Sequence, residues 1–199
     1  PKFTAGKTVQ FLNRILGPDS LISADSELHK TKREILSSYF KPSEISRYDV
    51  YTEKLILDEF SRLDFGEFSL FSFLQRVTLK SIIKILFGDI EDSRFNQLLE
   101  LSEKFMNSFQ SPIILFWKSL QISASWSPWE KAMKNREELW MYMEQSANVD
   151  HSSFLYSLKN RYSELGFESK SFLSEALALL VFGHDTTAAA SSWVLPLVW

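Results

Sequence analysis

Cysteine is absent from this chain of 199 residues. No disulfide, thiolate metal site or cysteine nucleophile can be built from it, and cysteine usage leaves the redox compartment unread. Glycine and proline are scarce, six of each, too few for a fold rich in tight turns and short strands. Sustained alternation of apolar and polar residues, the mark of half-buried strands, is missing too. Positive charge is nowhere concentrated. The formal net charge is −3 with both signs interspersed, so the basic stripe of a nucleic-acid-binding surface is not there and no nucleic-acid partner is expected. No signal-peptide pattern stands at the start. The sequence opens on Pro1 and stops in the apolar run Ser191 to Trp199. Termini are usually polar and solvated, so both ends read as cuts.

What is present is a globular composition, 45% hydrophobic and 24% charged, which excludes a disordered chain. The 17 Phe, 6 Trp and 6 Tyr suit a protein that buries a large flat apolar ligand, and equally any phenylalanine-rich core. Apolar residues recur at helical spacing nearly throughout, which predicts an all-α fold. Asp25 and Ser26 cap a helix running to about Phe40. Pro42 opens the next, to about Leu63. Further helices are expected from about Ser69 to Phe87 with Gly88 as the stop, from Asp92 to Phe109, from Ser127 to Ala147, from Ser152 to Leu165 before Gly166, and from Ser169 to about Leu195. Between Ser111 and Trp129, two prolines and three tryptophans read as an apolar connector. Pro196 should end or kink the last helix.

That last helix is apolar nearly all round, which predicts enclosure in protein or lipid. A bilayer span is disfavoured by His184 and Asp185 at its middle, by Glu175, and by Lys170 near its start. Membrane contact is therefore expected to be peripheral at most, and the localisation cytoplasmic. In the polar insert Phe182-Gly183-His184-Asp185-Thr186-Thr187, Gly183 lets a flat ligand approach the backbone. Thr186 can hydrogen-bond the carbonyl of Phe182, one turn back. Asp185 sets an ionisable group beside that hydroxyl, a pairing able to relay protons into a dry cavity. A packed helix with a satisfied polar turn would also account for these residues. A second polar pair, His29 and Arg33, shares one helix face with Leu36 and Phe40. The pair is expected to point inward, toward a buried anion or partner.

The run Val181 to Thr187 resembles the oxygen-activating helix of the cytochromes P450. Glu27 to Arg33, followed by Phe40, resembles the helix of that family that holds the haem propionates. The separation from Arg33 to Thr186 matches as well. Leu12 to Leu16 and Trp126 to Trp129 resemble a bacterial P450 group associated with fatty-acid and hydrocarbon substrates. The resemblance implies a single incomplete P450 domain over residues 1–199, lacking the haem-thiolate portion. It implies Asp185 and Thr186 as catalytic residues in proton delivery and oxygen activation, and His29, Arg33, Gly183 and Phe182 as haem-binding residues. It further implies haem as the cofactor and a ferredoxin or reductase fed by NAD(P)H as the electron-transfer partner. The intact enzyme is expected to be a monooxygenase, an oxidoreductase hydroxylating an apolar small molecule with O2.

Three features depart from the family pattern. The iron-ligating cysteine is not in these residues, so the isolated chain is expected to be inert; thiolate donation is what favours O–O cleavage in this family. Phe182 stands where the family has Ala or Gly. Pro196 lies inside the final helix. Two rival readings follow. His184 and Asp185 together suit a metal-dependent phosphohydrolase, but only His29 and His151 remain as further histidines. The other rival is a non-catalytic helical remnant or interaction module that binds no haem.

Overall fold

The computed structural model describes residues 10–17, 20–63, 66–109 and 127–195. In chain order these form α1 (Gln10–Leu16), α2 (Ser26–Ser37) continued by a 3₁₀ turn (Ser38–Phe40), α3 (Pro42–Ser61), α4 (Leu70–Phe87), α5 (Asp92–Asn107), α6 (Pro128–Ser146), α7 (Phe154–Glu164) and α8 (Ser171–Val194). Among the described residues there is no strand. The expected helices from α2 onward are all present, with ends within a few residues of expectation. The part of the expected connector from Ser111 to Trp126 and the expected break at Pro196 lie outside the described residues.

Local chemistry sets the helix ends. The side chains of Ser69, Ser127 and Ser153 accept the backbone N–H groups of Ser72, Glu130 and Tyr156 at 3.3, 3.2 and 3.2 Å. Each thereby satisfies a donor that a helix start leaves orphaned. Pro42 and Pro128 occupy first turns, where a missing N–H costs nothing. Gly88 ends α4 at φ +68°, a left-handed conformation that glycine adopts without penalty.

α4 and α8 pack along each other at the centre, with α3 also against α4, and α5 and α6 form a second pair. The core between them includes Ile83, Phe87, Phe105, Leu139, Leu158 and Leu177. Each such side chain, fully buried, contributes roughly 1.5–3 kcal/mol. Glu59 fastens α3 to α4 from the side: Lys80 and Arg76 reach its two carboxylate oxygens at 2.5 and 3.2 Å.

α1 was not expected as a helix. Seven residues are too few to hold helical form alone, and packing supplies the rest. Leu16 is buried, and Gly17, at φ +105°, lies so close to Trp140 and Ser174 that a side chain there would collide with both. The enclosure expected of α8 is also only half observed. Its first part is buried, while Phe182, Trp193 and Val194 are exposed.

Candidate functional site

The middle of α8 carries the polar insert, and its side chains diverge. His184 is buried against α4, where its Nδ1 lies 3.0 Å from the Thr78 hydroxyl. That hydroxyl also lies 2.8 Å from the Leu74 carbonyl. The Thr78–His184 contact can run in either direction, according to which ring nitrogen carries the proton. Nε2 lies 3.4 Å from Asp185 Oδ1. Burial pushes the His184 pKa down and the Asp185 charge pulls it partly back, so the ring is neutral near pH 7. The Asp185 carboxylate is exposed and accepts from Gln75 Nε2 at 3.1 Å. Both side chains border a cavity of about 320 Å3 that Arg76 and Glu103 also line.

Thr186 points the other way and donates its hydroxyl to the Phe182 carbonyl, as expected from the sequence. Phe182 is 38% exposed. Phe182 and Thr186 thus share the open face of α8, and Asp185 lies between that face and α4. A methyl group on Gly183 would meet only Ile82 of α4, at 3.6 Å. The glycine faces α4 without being required there by packing.

On α2 the inward position belongs to a residue the sequence reading passed over. Lys32 is 0% exposed, His29 is half-buried and Arg33 is exposed. The inward direction expected of the His29/Arg33 pair is corrected accordingly. The helical stripe through Leu36 centres on Lys32, and the pair lies along one edge of it.

Lys32 Nζ sits 3.0 Å from Glu175 of α8, whose side chain is 1% exposed. Both Glu175 oxygens accept the Leu21 backbone N–H, at 3.0 and 2.9 Å, and the Tyr162 hydroxyl donates at 3.1 Å. Burial, and then the Glu175 charge, push the Tyr162 pKa upward, so the phenol stays a donor. Lys32 Nζ also lies over the Tyr162 and Phe167 rings, 5.2 and 5.3 Å from their centroids. A signal for this cluster was available in the sequence. Glu175 is the only charge in the apolar run from Ser171 to Gly183, and a lone carboxylate there calls for a buried cation.

An apolar groove of about 780 Å3 runs between α3, α4 and the end of α8, lined by Ile56, Phe60, Phe73, Val77 and Val194. Among the described residues no group of three His, Asp or Glu side chains converges as a metal site, so the His184–Asp185 pair has no third ligand there. No helix among them is long and apolar enough to cross a membrane.

No protein-family profile matches the chain. In sequence it is similar to two Mycobacterium tuberculosis proteins that carry the names cytochrome P450 135B1 and cytochrome P450 138. Identity is 24% and 22%, over 97% and 92% of this chain. In three dimensions it is similar to the retinoic-acid-bound structure of a cyanobacterial protein, CYP120A1. That match has a TM-score of 0.72 and 21% identity, and covers 94% of this chain. The chain spans 43% of the length of the two relatives and 44% of the solved chain. The likeness read from the sequence is borne out at the level of family likeness and fold.

Proposed function

We propose, from the premise that this chain carries a partial cytochrome P450 fold, that it forms one wall of a haem monooxygenase. The intact protein would hydroxylate an apolar substrate with O2, and electrons would arrive from NAD(P)H through a ferredoxin or reductase. The observation that carries this reading is the match to a P450 structure over 94% of the chain, with the Gly183-to-Thr187 turn on a part-exposed stretch of its central helix.

The residues present suit the periphery of haem. Among the described residues no hydrogen bond or ion pair engages the side chain of His29 or Arg33. The planar guanidinium of Arg33 is suited to a carboxylate such as a propionate. Phe182 and Thr186 offer an apolar and a hydroxyl surface on the same face of α8. The axial thiolate would have to come from sequence outside these 199 residues, since they hold no cysteine. When bound, haem supplies the oxygen-activating iron chemistry.

The chain's own groups would then handle protons and water. Asp185, open to solvent and steadied by Gln75, collects protons. Thr186 has committed its own hydrogen to the Phe182 carbonyl, which leaves the oxygen free to accept a hydrogen bond. Phe182 narrows the space beside it and keeps water out. The substrate class is the coarsest part of the reading. Retinoic acid, the molecule bound in the cyanobacterial structure, is a long apolar acid and supports an apolar substrate here.

The test is a reduced carbon-monoxide difference spectrum, recorded on this chain and on the chain extended through the downstream reading frame. The extended protein should give a thiolate–haem band and the 199-residue chain none. A folded extended protein that takes up no haem would overturn the proposal and favour a non-catalytic helical module.

A further inference from the structure

The cluster around Glu175 joins four separate pieces of the chain: the segment before α2 through Leu21, α2 through Lys32, α7 through Tyr162, and α8 itself. Glu175 lies on the same side of α8 as Phe182 and Thr186, two and three turns further on. Lys32 stands directly before Arg33 on α2 and three residues after His29. One ion pair therefore connects the two helices that carry the candidate haem-facing residues.

Apolar contacts alone fix such a relation loosely. Ile35 and Leu36 hold α2 to the core, yet methyl groups can slide over one another and find new neighbours. A buried ammonium and a carboxylate bound by several donors cannot. Rotating or sliding α2 by one residue would pull the two charges apart inside the protein, away from water, at a cost that apolar contacts do not impose. In some proteins buried polar pairs of this kind set register while adding little stability.

We propose that Lys32 and Glu175 are positioning residues that set the register of α2 against α8, and with it the placement of His29 and Arg33 relative to the Phe182–Thr186 face. The functional meaning of that placement rests on the haem reading above; the register itself does not. Neither residue touches the reacting atoms.

The absence of cysteine makes the test direct. Spin labels introduced at two exposed positions, Lys30→Cys on α2 and Thr187→Cys on α8, report the separation of the helices by pulsed electron resonance. The labelled parent should give one narrow distance distribution. Replacing the pair by apolar side chains of similar size, Lys32→Met with Glu175→Leu, should leave helicity near the parent value and lower the melting temperature only through the Leu21 N–H and Tyr162 hydroxyl that lose their acceptor. The same change should at least double the width of the distribution, or move its centre by about a helical turn, ~5 Å. An unchanged narrow distribution in the folded double variant would overturn the proposal. Should that variant fail to fold, Glu175→Gln, which keeps shape and removes charge, decides by the same criterion. The readout needs no haem, so a failure here and a failure of the difference spectrum remain distinguishable.

Discussion

The two halves of α8 belong to one helix and are covered in opposite ways. From Ser171 to Leu180 every residue is buried except Leu179, which is half-buried; from Val181 to Leu195 only His184 and Ala188 are buried. The first stretch has neighbours all round: α4 on one side, α7, α6 and α1 on others, and Lys32 against its one charge. The second stretch keeps the α4 contact and little else among the described residues. Hydrophobicity is therefore spent differently in the two stretches. In the first it stabilises the fold. In the second it leaves the large side chains of Phe182 and Trp193 on the surface, with the Thr186 hydroxyl among them.

The largest break in this contrast should come from Glu175→Leu. That change leaves Lys32 buried without its carboxylate, and chemical denaturation should show a loss of about 3–5 kcal/mol. Next in size is a matched pair of truncations, one in each stretch. Leu177→Ala, at a position with 0% exposure, should cost about 2–5 kcal/mol through the cavity it opens. Trp193→Ala, at 77% exposure, should stay within roughly 0.5 kcal/mol despite removing the larger side chain. Equal losses at the two positions would erase the distinction.

The smallest effect concerns pH at the boundary of the two stretches. Because burial lowers the folded-state pKa of His184, the unfolded chain takes up this proton first as pH falls. Stability is then present above the ordinary histidine value of about 6.5 and lost as pH drops below it. His184→Gln should flatten that part of the stability–pH curve. Asp185→Asn, which removes the charge holding the pKa up, should lower it further, as followed by the imidazole resonances in NMR.

Much of the helical frame was legible in the sequence because its punctuation is local. Gly88 stops α4 and Pro42 opens α3 using only nearby atoms, whereas the cap expected at Asp25 and Ser26 has no side-chain cap bond and the capping serines are Ser69, Ser127 and Ser153. The division of α8 was not legible. Periodicity reports where apolar side chains lie, but not which other helix comes to cover them. α1 was missed for the same reason, since its form depends on Trp140 and Ser174, far away in sequence. At the candidate site, the back-bond from Thr186 to Phe182 was predictable because it spans one turn. The inward role of Lys32 was not. His29 and Arg33 drew attention as a familiar spacing, although the stripe through Leu36 centres on Lys32, and only the tertiary partner Glu175 makes burial of that ammonium tolerable.

The bond from the Leu21 amide to Glu175 has a kinetic consequence. Its hydrogen can exchange with solvent only when residues 20–25 peel back, because both carboxylate oxygens hold it from the inside. A seven-residue helix and a glycine wedged beside Trp140 anchor that strip, so it belongs with the pieces that open before the whole molecule unfolds. The exchange rate of this single proton therefore clocks how often water reaches the buried ion pair.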